Sequence, residues 1–339
     1  MGVTGVAANP GTVAARHPLV GWTPMHASFS ASGPVIRWCF TEGVQFTDPF
    51  FDQTIEMCLQ DPFRLLFWRE TGIEAAAELA AASPGLEPAG FIFHMSRCGS
   101  TLLAQMLAGL RSTLVLSEPP PLDTILRARD VIPALPDAVA VDWLRWLVAA
   151  LGQRRPPEQS RVVIKTDSWA IFQLPLIRRA FPNAACVFLY RDPVEVLVSQ
   201  IERPGYQMVP GALPPGWFGL TPEEATTVSE IDYRAAVLGG VCEAAVRAAR
   251  EGELTPIPYT SLPGAVADHV APLFGLEIGP DERAAFGRAA ERDAKNPVFE
   301  FSEKPGERRG RASVAVRAAA EARIGPSFES LEQLVGARA

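Results

Sequence analysis

A loop with an arginine, a glycine and two hydroxyl side chains is the first segment of the sequence that could do chemistry. Arg97-Cys98-Gly99-Ser100-Thr101 follows the apolar run 90–95 and precedes 101–110, whose apolar spacing is helical. A strand, a glycine-containing turn and a helix N-terminus together direct backbone N–H groups and the positive end of a helix dipole at one point. The pattern therefore predicts a phosphate or sulfate site.

The loop lacks the first glycine and the lysine of a nucleoside-triphosphate loop of the type GxxxxGK[ST]. His94 stands at the first glycine position and Ser100 at the lysine position. Arg97 supplies a cation instead, and a guanidinium suits bidentate contact with phosphate or sulfonate. The alternative is an ordinary strand–turn–helix in which Ser100 and Thr101 serve only as caps.

A second segment has the same character. Arg191 ends the apolar run 185–190, a helix is predicted from Pro193, and Ser199 lies about two turns into that helix. Ligands of open α/β sheets bind at the carboxyl ends of the strands, where Arg191 is expected. The order fits a second phosphate site, and a structural arginine with an exposed serine is the alternative.

Together the two segments resemble the sulfotransferases that use 3′-phosphoadenylyl sulfate (PAPS). The 5′-phosphosulfate loop of these enzymes is usually [KR]-S-G-[ST]-T, which 97–101 matches with Cys98 in place of the serine. Their 3′-phosphate motif is Arg-[DN]-P with a serine eight residues after the arginine, and Arg191, Asp192, Pro193 and Ser199 match it. The resemblance implies PAPS as co-substrate, adenosine 3′,5′-bisphosphate (PAP) as product, and these nucleotide-binding residues: Arg97, Cys98, Gly99, Ser100, Thr101, Leu102, Arg191 and Ser199.

Two later segments resemble the family less closely. The segment 258–262 resembles its Y-E-D-L strand end, although Thr260 and Ser261 replace the acidic pair. Arg308-Arg309-Gly310 resembles the start of its R-K-G-x-x-G segment, which implies that Arg308 or Arg309 contacts the 3′-phosphate. A solvated charged loop is the alternative for the second segment.

Sulfonate transfer needs a cation at the leaving phosphate, backbone donors and a base for the acceptor. Arg97 is the candidate cation. In sulfotransferases of protein tyrosine the presumed base is an acidic residue after a strand, here Glu118, and in small-molecule sulfotransferases it is the histidine of K-[ST]-H, here Lys165-Thr166-Asp167. The resemblance thus implies a catalytic set of Arg97, Glu118, Lys165 and Asp167, in which Lys165 steadies the sulfonate. Glu118 is the favoured base; helix caps or surface charges are the alternative reading.

The acceptor pocket is expected from the segment 203–224 and from the N-terminal region. The segment is rich in proline and glycine, lacks periodicity and carries Tyr206, Met208, Trp217 and Phe218. Its aromatic content suggests an apolar or ring-bearing acceptor, although the same side chains could simply close the core.

The strands and helices that must position these residues follow a pattern typical of an α/β protein. Short apolar runs alternate with helical segments from residue 89 onward, which predicts a three-layer α/β/α domain with a central parallel sheet over 89–339. Residues 1–88 are expected to be a small, partly irregular N-terminal extension. In it, 1–30 is predicted to be loose, 35–40 a strand, and 50–60 and 69–82 helical.

Composition narrows the function classes. The chain has 339 residues and a formal net charge of −7, so no general basic field is available for nucleic acid. The five cysteines include no CxxC pair, and no run of about 18 apolar residues predicts a membrane helix. We expect a cytoplasmic protein without a signal peptide that transfers sulfonate from PAPS to a hydroxyl or amine of a small-molecule, carbohydrate or peptide acceptor, with no metal. A divergent phosphate-loop kinase and a nucleotide-binding module without catalysis are the alternatives.

Overall fold

The computed structural model describes residues 16–156, 158–290 and 306–337. The strands are β1 (Trp22–Ser30), β2 (Gly33–Phe40), β3 (Arg69–Gly72), β4 (Pro88–His94), β5 (Thr113–Ser117), β6 (Arg161–Lys165), β7 (Ala185–Tyr190) and β8 (Thr255–Pro258). The helices up to β7 are α1 (Phe51–Leu59), α2 (Pro62–Leu66), α3 (Glu74–Ala82), α4 (Ser100–Ala108), α5 (Pro120–Leu126), α6 (Ala128–Val131), α7 (Asp137–Leu151) and α8 (Leu174–Ala180). The later helices are α9 (Pro193–Glu202), α10 (Glu224–Thr227), α11 (Glu230–Arg250), α12 (Ala271–Leu273), α13 (Pro280–Ala290), α14 (Glu307–Arg311), α15 (Val314–Arg323) and α16 (Gly325–Gly336).

The central sheet confirms the predicted fold class. Its five strands are parallel and stand in the order β5-β6-β4-β7-β8. The middle strand β4 is buried from both sides, and Phe91, Ile92 and Phe93 have no exposed surface. A strand in this position must be apolar on both faces, which explains why the sequence shows uninterrupted apolar runs instead of alternation.

Helices cover both faces of this sheet. Right-handed crossovers place α4, which runs from β4 to the edge strand β5, on one face, where it packs against α13. The crossovers from β5 to β8 run the other way and place α7, α8 and α11 on the opposite face. The two faces complete three layers, as predicted. The five parallel strands therefore end at the same edge of the sheet.

The N-terminal region contains a sheet that the sequence analysis partly missed. Strands β1, β2 and β3 form an antiparallel sheet in that order. The strand 22–30 corrects the expectation of a loose arm, and β3 corrects the expectation of a helix from residue 69. β1 forms because β2 pairs with it across a short turn, and its irregularity at Pro24 hides the alternation of a strand. The prediction for residues 1–15 lies outside the described residues.

The small sheet is attached to the larger unit by packing and hydrogen bonds. β1 packs against α5 and α7, and Gln153 Nε2 donates a hydrogen bond of 2.5 Å to the Trp22 carbonyl. The division of the chain near residue 88 stays a prediction. Among the described residues, no helix has the length and apolar composition needed to span a membrane.

Candidate functional site

The loop after β4 has a strained backbone that its neighbours hold in place. Ser96, Arg97 and Gly99 have φ angles of 74°, 51° and 88°. The left-handed region costs a non-glycine residue roughly 1–2 kcal/mol. Two hydrogen bonds oppose this cost: the Ser96 N–H donates to His94 Nδ1 at 3.0 Å, and Gln200 Nε2 donates to Ser96 Oγ at 2.8 Å. Cys98 lies between the left-handed residues Arg97 and Gly99, and a mixture of left- and right-handed residues turns successive N–H groups toward one concave face that suits an anion.

Gly99 is required at the end of this loop for two reasons. Its φ is positive, and a Cβ atom there would lie 2.7 Å from the ring of Tyr259. The loop and the segment after β8 are therefore packed together with no room for a side chain. Helix α4 begins at the next residue, Ser100, and the first N–H groups of a helix have no partner within the helix. The predicted phosphate cradle is thus present in the backbone.

The side chain of Cys98 is turned away from the cradle. Its thiol is fully buried and donates to the Leu189 carbonyl of β7 at 3.1 Å. Burial raises the pKa of this thiol to about 12. Cys98 can therefore contribute to an anion site through its backbone only, as the serine-to-cysteine difference in the motif allows.

Glu118 and Lys165 form an ion pair at the carboxyl ends of β5 and β6. Lys165 Nζ contacts Glu118 Oε1; the lysine side chain is 1% exposed and the glutamate side chain 25%. Glu118 itself has a φ of 53°, a further strained residue at the same edge. Its backbone N–H donates to the Lys165 carbonyl at 2.7 Å. The pair is therefore fixed by both side chain and backbone.

Histidine 94 extends the pair to a triad of polar groups. Its Nδ1 accepts from Ser96, so its proton lies on Nε2, which is 3.0 Å from the Thr166 carbonyl and 3.3 Å from Glu118 Oε1. Burial and the charge of Lys165 lower the pKa of His94, which is thus neutral at pH 7. Burial alone would raise the pKa of Glu118, but Lys165 and the His94 hydrogen bond outweigh it and hold this pKa below its usual value.

Asp167 lies in the same edge but in a different environment. It follows β6, precedes the 3₁₀ helix Ser168–Gln173 and lines the same cavity as Glu118. Burial, with the charges of Glu118 and Asp123, raises the pKa of Asp167 well above its usual value. The two carboxylates that the sequence offered as bases are therefore opposites: one is stabilised as an anion and the other is destabilised.

Arg191 ends β7 at the predicted place, held by a carboxylate. Its Nε donates to Glu195 Oε2 at 2.7 Å, and its guanidinium lies 4.3 Å from the centre of the Tyr259 ring. The other oxygen of Glu195 accepts from the Gly306 N–H at 2.8 Å. Ser199 is buried, one turn beyond Glu195 on α9, and lines the same cavity. These contacts fix the plane of the guanidinium toward the cavity.

Three more arginines stand at the mouth of this region. Arg97 Nη2 donates to the Arg203 carbonyl at 2.8 Å, and burial, followed by the charges of Arg308 and Arg203, lowers the pKa of Arg97. Arg308 Nε lies 3.9 Å from Glu202 Oε2, and Arg309 pairs with Asp192. Cations that depress each other's protonation are stabilised when an anion binds among them.

All these groups line one cavity of about 1100 Å³. Residues that follow each of the five parallel strands reach it, as expected for ligand binding at the carboxyl edge of an open α/β sheet. We define its basic half by loop 96–102 with Arg97, Arg191, Arg308 and Arg309. We define its acidic half by Asp167, Phe50, Trp169 and Tyr206. The Glu118–Lys165 pair lies in the wall of the cavity, in electrostatic contact with Arg97 of the basic half and with Asp167 of the acidic half.

The structure brings every predicted site residue to this cavity, but it divides the four aromatic and methionine side chains expected from the segment 203–224. Tyr206 lines the cavity, whereas Met208 and Phe218 are buried in the core. Trp217 stacks on Phe172 at 4.9 Å between ring centres. Two of the four side chains therefore close the core, an alternative that the sequence analysis had left open. The N-terminal region contributes Phe50, whose ring lies 5.2 Å from Lys165 Nζ.

Sequence reasoning missed several residues that hold the site together. They are Ser96, Glu195, Gln200, Phe50 and His94, for which the sequence indicated no contact with Ser96 or Glu118. Glu195 could have been found from its spacing, because it lies four residues after Arg191 on a predicted helix. Phe50 carries no such signal, because its place depends on how the N-terminal region packs.

Fold and site together define an α/β protein with a central parallel sheet and a loop of the phosphate-loop type after β4. Within it, residues 88–203, about a third of the chain, match a family described as "Sulfotransferase family". This segment, which contains both predicted phosphate motifs, Glu118, Lys165 and Asp167, is therefore similar to that family. The family resemblance predicted from those motifs is confirmed.

Several solved structures are similar to this chain. The sulfotransferase STF9 from Mycobacterium avium is 11% identical, over 76% of this chain and 81% of that chain, with a TM-score of 0.49. The sulfotransferase domain of the Synechococcus PCC 7002 olefin synthase is 16% identical over 74% and 96%, with a TM-score of 0.41. Mouse sulfotransferase SULT7A1, complexed with PAP, is 10% identical over 78% and 93%, with a TM-score of 0.41. No curated protein sequence matches the chain.

Proposed function

We propose that the protein transfers a sulfonate group from PAPS to a hydroxyl or amine of an acceptor molecule. The match of residues 88–203 to the sulfotransferase family supports sulfonate transfer in general. The finer proposal, with its donor and its base, rests on one observation: the Glu118–Lys165 pair lies in a cavity wall that borders a basic anion cradle on one side and an acidic, aromatic space on the other. A sulfonate that moves from an anionic donor in the basic half to a neutral or cationic acceptor in the acidic half passes this pair.

The basic half has the groups that a 5′-phosphosulfate requires. The backbone from Cys98 to Leu102 would bind the phosphosulfate oxygens, because its N–H groups lie in a loop nest and a helix N-terminus. Arg97 would contact the bridging oxygen and the leaving phosphate. The fit is supported by Gly99, where any side chain would collide with Tyr259 and would disturb the cradle.

The 3′-phosphate would bind at the other end of the basic half. Arg191 would contact it with the edge of the guanidinium that Glu195 leaves open, and Ser199 would donate its hydroxyl. Arg308 or Arg309 would close over the same phosphate from α14. The pairs of these arginines with Glu202 and Asp192 would weaken or rearrange as the phosphate binds.

In the reaction, the acceptor oxygen or nitrogen attacks sulfur in line with the leaving phosphate. A new bond forms to sulfur as the bond from sulfur to the bridging oxygen breaks, and PAP leaves with that electron pair. The acceptor proton passes to Glu118 as general base. Arg97 and Lys165 stabilise the negative charge that grows on the bridging oxygen and the sulfonate.

Lys165 links donor binding to the strength of the base. Without donor, the whole charge of Lys165 faces Glu118, which keeps the pKa of the glutamate low and makes it a weak base. A bound sulfonate would share the lysine and loosen its hold on Glu118, so that the pKa of the glutamate would rise. The base would then be strongest when the donor is in place. His94 would keep the carboxylate oriented through its Nε2 proton.

Turnover with PAPS tests this function. Purified protein is incubated with PAPS and a panel of phenols, sugars and amines, and PAP formation and the mass gain of the acceptor are followed. We expect acceptor-dependent PAP formation that Glu118→Gln abolishes and that Asp167→Asn does not. Turnover that survives Glu118→Gln and disappears with Asp167→Asn would transfer the role of base to Asp167. Phosphoryl transfer from ATP·Mg in place of sulfonate transfer would show a kinase.

A further inference from the structure

The two halves of the cavity carry opposite charge, and the acidic half is more acidic than its lining alone suggests. Asp167 interacts electrostatically with Glu118, Asp123 and Asp52. Asp52, in the first turn of α1, interacts in turn with Glu118 and Glu56. The positive groups at this end are Lys165, paired with Glu118, and Arg127, which bonds to Asp130 at 2.8 Å and lies 3.7 Å from Asp123. A negative excess therefore remains.

Asp167 is the member of this group of carboxylates that lines the acidic half of the cavity. Within the part of the chain that the structure describes, neither a hydrogen-bond donor nor an ion-pair partner contacts its carboxylate. Burial and the charges of Glu118 and Asp123 raise its pKa and outweigh the opposing charge of Lys165, so that its anionic form is only partly compensated. A cation next to it would supply what the protein does not.

Three aromatic residues line the same cavity as Asp167: Phe50, Trp169 and Tyr206. Trp169 donates its Nε1 hydrogen to Asp123 Oδ1 at 2.6 Å, which fixes the indole in the wall of the cavity. The Tyr206 ring lies 5.7 Å from it, and Phe50 lies beyond, beside Lys165. Ring faces together with a carboxylate are the surroundings in which proteins bind ammonium groups.

The mechanism uses none of this arrangement. Glu118 takes the acceptor proton, Lys165 and Arg97 serve the sulfonate, and the basic half binds the nucleotide. A hydroxyl acceptor without charge would need neither an unpartnered carboxylate nor its acidic neighbours. An anionic acceptor would be repelled by them.

We propose that the acceptor carries a protonated amine in addition to the group it presents to Glu118, and that Asp167, Trp169 and Tyr206 bind this amine. The inference rests on the proposed sulfonate transfer, since it assigns the acidic half to the acceptor. The substrate class is a cationic amine that also bears a hydroxyl. Asp167 acts as the residue that selects it.

Binding of three matched phenols to the PAP-saturated protein tests the proposal. The probes are tyramine, 4-ethylphenol and 3-(4-hydroxyphenyl)propionate, which share a phenol and differ in charge. Calorimetry or ligand-detected NMR gives their dissociation constants. We expect tyramine to bind at least about tenfold more tightly than 4-ethylphenol, a difference of about 1.4 kcal/mol, and the propionate to bind most weakly.

Variants separate a specific contact from general attraction. Asp167→Asn should bring the affinity for tyramine to within about twofold of that for 4-ethylphenol, whatever it does to turnover. Asp142→Asn, on an exposed position of α7, is the matched control and should leave the ranking intact. Asp52→Asn, also exposed, should reduce the preference for tyramine by a smaller factor and decides the matter if Asp167→Asn fails to fold.

The outcomes distinguish this inference from the proposed function. Equal or tighter binding of 4-ethylphenol, no binding of tyramine, or an unchanged ranking in the Asp167→Asn and Asp52→Asn variants would each overturn the amine site. Each can occur while PAP binds and PAPS is turned over, which leaves sulfonate transfer standing. A protein that binds ATP·Mg and not PAP would instead refute the donor, and the tyramine ranking can then still be measured without nucleotide.

Discussion

The two halves of the cavity are built in different ways. The basic half comes from backbone geometry and arginines at fixed spacings: a strained loop after β4, a helix N-terminus, and Arg191 with Ser199 on α9. The acidic half comes from single residues of three segments: Phe50 just before α1, Asp167 and Trp169 at the start of the 3₁₀ helix Ser168–Gln173, and Tyr206 of the segment 203–224. The basic half is therefore built by local sequence motifs, whereas the acidic half depends on how distant segments of the chain pack together.

The largest effect is expected where the two halves meet. Glu118→Gln keeps the shape of the side chain and removes the base, so kcat should fall about 10²- to 10⁴-fold. Binding of PAP should be retained, because the basic half is untouched. Steady-state kinetics and calorimetry on the same preparation measure both.

Glu243→Gln is the control for that substitution, because Glu243 forms only an exposed pair with Arg247 on α11. It should leave kcat unchanged. If the Glu118→Gln variant had the same kcat as this control, Glu118 would not be the general base.

The basic half can be broken through its backbone. Gly99→Ala introduces a Cβ atom 2.7 Å from the Tyr259 ring at a φ of +88°. The loop must shift, and the affinity for PAP should fall at least about thirtyfold, or roughly 2 kcal/mol. Calorimetric titration with PAP measures this loss.

Gly43→Ala is its matched control. Gly43 also has a positive φ, +77°, but nothing lies within 4 Å of an added Cβ. This variant should be slightly less stable, by about 1 kcal/mol of backbone strain, and should bind PAP normally. Equal PAP affinity in both variants would mean that the loop after β4 does not hold the nucleotide.

The 3′-phosphate end of the basic half allows a finer test. Ser199→Ala removes one hydroxyl from a buried position that lines the cavity. The affinity for PAP should fall about tenfold, as expected for a hydrogen bond to a charged group. Adenosine 5′-monophosphate lacks the 3′-phosphate and should bind the variant and the native protein equally; an equal loss for both nucleotides would contradict the assignment.

The smallest effect concerns stability and contrasts two carboxylates. The folded pKa of Glu118 is lowered by Lys165 and His94 despite burial, so its ionisation stabilises the protein above the unfolded pKa of about 4.5 and this stability is lost as pH falls below it. The folded pKa of Asp167 is raised by burial and by Glu118, so its ionisation destabilises the protein as pH rises above about 3.8.

Thermal unfolding between pH 2.5 and pH 8 measures this contrast. Asp167→Asn should raise the midpoint at pH 7–8, and the gain should shrink toward pH 4. Glu118→Gln should lower the midpoint at pH 7, and the loss should shrink in the acidic range. If both variants changed the unfolding midpoint at pH 7 in the same direction, Glu118 and Asp167 would not contribute to stability with opposite sign.

Features set by a local sequence pattern could be predicted, whereas contacts between residues distant in the chain could not. The parallel sheet was predictable because a strand buried on both faces must be apolar throughout, and 90–95 and 185–190 are. The strand, turn and helix from β4 to α4 were predictable because their pattern is local, and anion binding by that turn stays a prediction. The pairing of Lys165 with Glu118 was not, since the two residues are 47 positions apart and meet only when β5 and β6 pair.

The N-terminal region shows where sequence patterns fail. The strand 22–30 contains Pro24 at an irregular position, which conceals the period of two, and only pairing with β2 reveals it. Phe50 reaches the cavity as the residue before α1, and nothing in its neighbours along the chain indicates a ligand. Positions fixed by the packing of distant elements leave no local pattern.

The central claim is that the basic half binds a nucleotide with a 3′-phosphate and a 5′-phosphosulfate. Calorimetric titration of the native protein with PAP and, separately, with ATP·Mg tests it most directly. The account predicts that PAP binds at least about a hundredfold more tightly than ATP·Mg, which corresponds to about 2.7 kcal/mol. Equal affinities, or a preference for ATP·Mg, would contradict it.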